Sequence, residues 1–182
     1  MKKIIKSLVV LCFIALVFTG CSCSLNDTSP EDAINTFFEK YRSKDDNVIT
    51  QLIDTIKNEE LTDENKDRYQ KLMEKQYDSF SYVIKDVKEE KDSATATVEL
   101  TVLNYRSAVL KAEEELNKTP EKFNDDKGNF SKEKYMEYKI DKMEEVTDTT
   151  THTIELNLTK EAGMWKVEQL SSDDISKLHG LY

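Results

Sequence analysis

The sequence predicts an α+β fold, in which N-terminal helices pack on a four-stranded antiparallel sheet and a helical insertion separates strands two and three. Amphipathic helical stripes precede the first strand, as expected for helices that cover a sheet. Residues 94–102 alternate strictly between apolar and polar side chains, which is typical of a strand with one buried face. The 44 residues from Tyr105 to Asp148 are too many for a hairpin loop and carry helical patterning instead.

Three helices are predicted before the sheet. Ser29 suits the N-cap of the first helix, Pro30 suits its first position, and Asp32 completes a capping box. The apolar stripe behind this start consists of Ala33, Ile34, Phe37, Phe38 and Tyr41. A second, short helix is marked by Val48, Leu52, Ile53 and Ile56. Thr62 can cap a third helix, which has an apolar side made of Tyr69, Leu72, Met73, Gln76 and Tyr77.

Two hairpins supply the sheet. The first joins a strand over Tyr82–Lys88 to the alternating strand through the polar turn Glu89–Asp92. The second runs from the alternating residues 153–159 through a turn at Lys160–Gly163 into the strand Met164–Glu168. Gly163 suits that turn because glycine tolerates positive φ. Ser171 can then cap a final short helix that ends near His179 and Gly180.

The insertion between the hairpins is predicted to contain two helices, over residues 107–117 and 131–146. The second helix carries an apolar stripe made of Met136, Ile140 and Met143. This stripe is expected to pack on the open face of the sheet, or else to form part of a binding surface. Tyr and Met are enriched at interfaces. The residues expected to contact a protein partner are therefore Tyr135, Met136 and Tyr138.

The first 20 residues are predicted to form an export signal. Lysines at positions 2, 3 and 6 precede eleven apolar residues, Leu8–Phe18, and a small-residue cleavage site. Phe18-Thr19-Gly20-Cys21 resembles the lipobox of bacterial lipoproteins, which implies that Cys21 receives a diacylglycerol and becomes the mature N-terminus. One alternative is an ordinary signal peptide. A second alternative, an uncleaved membrane helix, is disfavoured because eleven apolar residues are too few to span a membrane, which needs about 20.

The expected organisation is a signal peptide over residues 1–20, a lipidated tether over 21–28 and a single domain over 29–182 with its insertion at about 106–148. The formal net charge of the chain is −10, and loss of the leader removes three lysines and no acid, which leaves −13. Such an acidic surface argues against nucleic-acid binding and repels anionic headgroups. The domain is therefore expected to hang from its lipid and not to lie flat. Its charge fits either a basic partner or simple solubility.

The order of helices and hairpins over Ser29–Leu170, apart from the insertion, resembles the nuclear-transport-factor-like (cystatin-like, SnoaL-like) fold. It is similar in particular to small lipoproteins of Gram-positive bacteria that are built on this fold. The resemblance implies a sheet curled into a cone, with the first helix across its mouth. It also implies a candidate pocket lined by Phe38, Tyr41, Tyr82 and Trp165. The alternative is that these aromatic side chains fill the core.

The sequence carries no motif for metal or covalent chemistry. Its two histidines, His152 and His179, fall in separate elements, and Ser131-Lys132-Glu133-Lys134 lacks the partner motifs of serine-type penicillin-recognising enzymes. We therefore predict no cofactor, no metal and no enzymatic activity. The expected function is that of a lipid-anchored binding or accessory protein on the extracytoplasmic face of the cell membrane, with an unidentified protein partner. The alternatives are a small-molecule-binding or hydrolytic enzyme that uses the cone, and an inhibitor or immunity-type protein.

Overall fold

The computed structural model describes residues 28–57 and 61–182, so the predictions for the leader, Cys21 and most of the tether lie outside the described residues. The described helices are α1 (Pro30–Arg42), α2 (Asp46–Lys57), α3 (Asp63–Ser79), α4 (Tyr105–Lys118), α5 (Lys132–Glu144) and α6 (Ser172–Leu178). A short 3₁₀ helix spans Pro120–Phe123. The strands are β1 (Ser81–Glu89), β2 (Ser93–Leu103), β3 (Thr149–Glu161) and β4 (Met164–Val167). They form a curved, open antiparallel sheet in the order β1-β2-β3-β4, which confirms the predicted α+β class.

The predicted capping residues begin the helices as expected. The Asp32 amide donates to Ser29 Oγ at 3.0 Å, and the Ser29 amide donates to the Asp32 carboxylate at 3.1 Å. This reciprocal pair is the predicted capping box of α1, and it satisfies two amides that the helix itself leaves unpaired. Thr62 and Ser171 cap α3 and α6 in the same way, through hydrogen bonds from amides three residues later. These short-range signals therefore fix where the helices start.

The sheet has one apolar face and one polar face. Ala96 pairs with Leu156 and Val98 with Ile154, and all four side chains are buried beneath α1 and α6. The opposite face consists of threonines and charged residues, and no described element covers it closely. Covering one face of an antiparallel sheet in this way is the arrangement that the alternating pattern predicted.

A β-bulge in β1 decides which way Asp86 points. The register shifts between Ile84 and Asp86, so that Ile84 pairs with Val98 whereas Asp86 pairs with Thr97. A bulge adds one residue to one strand and so reverses the alternation beyond it. Asp86 consequently lies exposed on the polar face.

The helical insertion packs on helix α3 and not on the open face of the sheet. Ile140 and Met143 of α5 lie in one buried cluster with residues of α2, α3 and α4. That cluster is made of Leu52, Ile56, Leu72, Met73, Tyr77, Leu103, Tyr105, Ala108, Ile140, Met143 and Val146. The expected packing on the sheet was wrong because the open face is polar, whereas α3 offers an apolar side.

At the surface, Arg68 forms hydrogen-bonded ion pairs between α3 and α5. Arg68 of α3 donates to Glu144 at 2.7 and 2.9 Å and to Asp141 at 2.6 Å, both on α5. These carboxylates hold the pKa of the Arg68 guanidinium above its usual range. The insertion is thus an integral part of the domain.

Among the described residues, no helix is long and apolar enough to cross a membrane.

Candidate binding cleft

The concave face of the sheet, where the resemblance placed a pocket, is filled by aromatic side chains. Phe38 is 0% exposed and Trp165 is 5% exposed, and both belong to the core beneath α1. The rings of Phe38 and Tyr82 lie 4.3 Å apart, and the Arg42 guanidinium covers the Tyr82 ring at 5.2 Å. Tyr41 and Tyr82 reach two different surface depressions. The four predicted pocket residues therefore share a core, but they do not line one cavity.

A cleft opens instead between the C-terminal half of α1, the first half of α2 and the segment that joins β4 to α6. Its volume is about 460 Å³, which falls within the usual range for small-molecule sites, roughly 300–1,000 Å³. Its walls combine aromatic, aliphatic and amide side chains with three charged residues, Lys40, Asp45 and Glu168. Representative members are Phe37, Tyr41, Val48, Ile175, Gln51 and Gln169.

The turn between α1 and α2 positions one wall of this cleft. Lys44 adopts a φ of 53°, in the left-handed region, where the chain leaves α1. Asp45 then accepts hydrogen bonds from the backbone and side-chain nitrogens of Asn47, each at 3.0 Å. On the other wall, the rings of Phe37 and Tyr41 are neighbours one helical turn apart, with centroids 5.4 Å from each other.

A smaller recess of about 90 Å³ adjoins the cleft. It shares Tyr41, Val48, Gln51 and Ile175 with the cleft and reaches Tyr77 and His179. The Tyr77 hydroxyl and Nε2 of His179 share a hydrogen bond of 3.0 Å, and the ring of Tyr41 meets that of Tyr77 edge-on at 5.3 Å. A tyrosine–histidine pair, with Tyr77 buried and His179 partly buried, therefore lines the recess beside the cleft.

Burial keeps this pair uncharged. Removal from water lowers the pKa of His179 to about 4, so the imidazole is neutral at physiological pH. The same desolvation raises the pKa of Tyr77 well above its usual range, and the nearby Tyr41 and Tyr69 add to that rise. A general acid or base works best with a pKa near the working pH. The pair is therefore better suited to donating and accepting hydrogen bonds than to moving protons.

Sequence reasoning included Tyr41 but missed Tyr77 and His179 as site residues. Tyr77 was predicted only as part of the apolar side of its helix, and His179 only as a lone histidine near the end of the chain. The two lie 102 residues apart, so no local spacing connects them. One sequence pattern could have pointed to Tyr77 as a site residue. Tyr77 and its neighbour Gln76 carry polar groups on a largely apolar side of the helix.

The other histidine occupies a different place. His152 lies opposite Leu100 on the core-facing side of β3, with its ring 5.8 Å from that of Tyr182. Its Nε2 is buried and has no hydrogen-bond partner among the described residues. Burial and the nearby Lys177 lower the pKa of His152.

Within residues 28–57 and 61–182, no group of three or more His, Cys, Asp or Glu side chains could hold a metal ion.

The predicted partner-binding residues of the insertion cluster around one buried ring. Tyr135 and Tyr138 meet Phe123 edge-on at 5.5 and 5.4 Å, and Met136 is buried beside them on the same helix. Lys122 Nζ lies 4.1 Å from the centroid of the Tyr138 ring. The most exposed ring of this group is Phe130, which is 53% exposed and lies 6.2 Å from Tyr135. Sequence reasoning named both tyrosines but not Phe130.

Comparisons with protein-family models, with curated proteins and with solved structures found no match to this chain. The resemblance to nuclear-transport-factor-like lipoproteins therefore stays a prediction.

Proposed function

We propose that this chain is a lipid-anchored, extracytoplasmic binding protein without catalytic activity, which takes a small polar organic ligand in the cleft between α1, α2 and α6. The observation that carries the proposal is an open cleft that adjoins a recess lined by the uncharged Tyr77–His179 pair. Tyr41 and Phe37 offer ring faces to the apolar part of a ligand, and Gln51 and Gln169 offer amide donors and acceptors. Small-molecule sites combine these two kinds of group.

The anchor rests on the leader. The charged start, the short apolar run and Cys21 together match a lipoprotein export signal. A bacterial lipoprotein cysteine carries at least two acyl chains, and each buried methylene contributes about 0.8 kcal/mol to membrane binding. Two chains are sufficient for stable attachment, so the protein should stay at the extracytoplasmic face of the cell membrane.

The interior of the sheet supports binding over catalysis. Enzymes of the resembled fold use an acid or a histidine deep in the cone. Here Phe38 and Trp165 fill that position, and Asp86 lies exposed on the opposite face. The two histidines, His152 on the core-facing side of β3 and His179 at the end of α6, both have pKa values lowered by burial, to about 4 for His179, and are therefore weak bases.

Photocrosslinking in cells tests the proposed ligand site. A photoreactive amino acid is placed at Gln51 on the cleft wall or, as the control, at Glu155 on the open face of the sheet. Light should produce a small-molecule adduct, detected by mass spectrometry, at position 51 and not at position 155. Adding Val48→Trp, which fills the cleft, should remove the adduct. Equal adducts at both positions, or none at either, would contradict the proposal.

A second candidate is a protein partner at the insertion. The exposed Phe130 ring beside Tyr135 favours this function, because exposed aromatic side chains are enriched at protein interfaces. A photoreactive amino acid at Phe130 should then yield a higher-mass crosslinked species in intact cells. The same probe at Lys91, in the turn between β1 and β2, is the control. A crosslink at Lys91 alone would count against the insertion as the binding element.

A further inference from the structure

The two hairpin turns lie side by side at one end of the sheet. Ser93, at the start of β2, pairs with Thr159 near the end of β3. The Lys160 amide donates to the Asp92 carbonyl at 2.9 Å and joins the two turns. We call residues 88–92 and 160–166 the turn end. The insertion leaves the sheet at the other end, where Leu103 pairs with Thr149.

The tether enters the domain at the turn end. The Trp165 amide of edge strand β4 donates to Thr28 Oγ1 at 2.9 Å. Trp165 pairs with Lys160 on the neighbouring strand, so its amide points outward from the edge of the sheet. Thr28 supplies the partner that this amide would otherwise lack. The last tether residue is therefore held beside the turn end.

The tether is shorter than the sheet. Residues 22–28 are seven residues, which reach at most about 25 Å when fully extended. Strand β2 has 11 residues and is therefore roughly 36 Å long at about 3.3 Å per residue. A lipid attached to Cys21 thus holds the turn end close to the bilayer. Because the tether is shorter than the strand, the domain cannot invert to bring the insertion end to the bilayer beside the anchor.

Charge favours the same orientation. The turn end contains four basic and four acidic residues, so it is formally neutral although the whole chain has a net charge of −10. Residues 104–148 contain nine basic and twelve acidic residues. An anionic lipid surface repels the insertion more than the turn end. Met164, which is 44% exposed, adds an apolar side chain to the turn end.

We infer that the turn end is the surface that faces the lipid headgroups, and that the insertion points away from the membrane. The inference rests on the lipid anchoring proposed above. Helix α1 starts beside the turn end and ends at Arg42, which donates to the Phe80 carbonyl near the start of β1. This places Tyr41 toward the membrane-distal end, whereas the opposite wall of the cleft starts at Val167, directly after the turn end, so the cleft runs along the side of the domain.

Fluorescence quenching by lipids tests this orientation. Single cysteines are introduced into the full chain carrying Cys23→Ser, as Glu90→Cys in the turn end, Glu155→Cys in mid-sheet and Asp126→Cys in the insertion. Each lipidated protein is labelled with a fluorophore and reconstituted into phosphatidylcholine–phosphatidylglycerol vesicles that contain nitroxide-headgroup lipid. Vesicles without nitroxide give the reference intensity, and flotation measures attachment.

The inference predicts loss of most fluorescence at position 90, a smaller loss at 155 and almost none at 126. Equal quenching at all three positions, or the reverse order, would overturn the orientation while leaving the anchor intact. Proteins that fail to float with the vesicles would contradict the anchor itself, and the orientation with it. The two failures are therefore distinguishable in one experiment.

Discussion

Tyr77 and His179 share a hydrogen bond of 3.0 Å although 102 residues separate them in the chain. The bond joins the middle of the fold, at the C-terminal part of α3, to the end of α6. The adjacent Gln76 makes a parallel link, since its Nε2 donates to the Leu178 carbonyl at 3.2 Å. These two bonds thus dock the C-terminal segment on α3, where His179 lines the recess beside the cleft.

The His179 imidazole should make stability depend on pH. Its pKa is about 4 in the folded protein and ordinarily 6.5, so between these values the unfolded chain binds more protons. Stability should therefore fall as pH falls from about 7 to about 4, by roughly 3 kcal/mol from this group. Urea unfolding of the wild type and of His179→Gln at both pH values measures the difference. Between these pH values His179→Gln should lose roughly 3 kcal/mol less unfolding free energy than the wild type. Equal losses in the two proteins would show that His179 is not buried and neutral.

The insertion should contribute to the stability of the domain. Ile140 is 0% exposed in the cluster between α3 and α5, so Ile140→Ala should cost about 2–5 kcal/mol of unfolding free energy. Phe130→Ala is the matched control, because that ring is exposed and its loss should change stability by less than about 1 kcal/mol. Chemical denaturation of both variants gives the comparison. A tolerated Ile140→Ala would mean that the insertion does not share the core.

Loss of the Gln76 side chain should destabilise the folded domain more than loss of Gln70 on the same helix. Its Oε1 accepts from the buried Leu103 amide at 2.9 Å. Gln76→Leu leaves that amide without a partner and should cost about 1–3 kcal/mol. Gln70→Leu, on the same helix, removes only a hydrogen bond to Glu74 in a part-buried position and should cost less than about 1 kcal/mol. Thermal unfolding of the two variants tests this order, and equal costs would contradict it.

The predictable part of the fold depends on short-range signals. Ser29 and Asp32 fixed the start of α1, and the alternation along β2 identified its buried face. What escaped prediction depends on contacts between distant residues. The stripe containing Ile140 has the same pattern whether it packs on a sheet or on a helix. The bulge that turns Asp86 outward has no strong sequence signal, and the Tyr77–His179 pair exists only after α6 docks.

Removal of metal ions should leave the fold unchanged. The sequence predicts no metal ligand cluster, and a bound ion would stabilise the folded state by mass action. The thermal midpoint of the protein should therefore be the same with and without EDTA. A second sample treated with EDTA and then with excess calcium serves as the control. A midpoint that falls with EDTA and recovers with calcium would reveal an ion site.

The most direct test of the central claim is lipid labelling of Cys21, with its neighbour Cys23 as the matched control. Cells that express the wild type, Cys21→Ala or Cys23→Ala are grown with a labelled fatty acid, and membrane and soluble fractions are compared. We predict that the wild type and Cys23→Ala incorporate label and remain in the membrane fraction. Cys21→Ala should lose the label and accumulate as an unprocessed or released form. Label retained in Cys21→Ala, or lost only in Cys23→Ala, would contradict a lipid-anchored protein attached through Cys21.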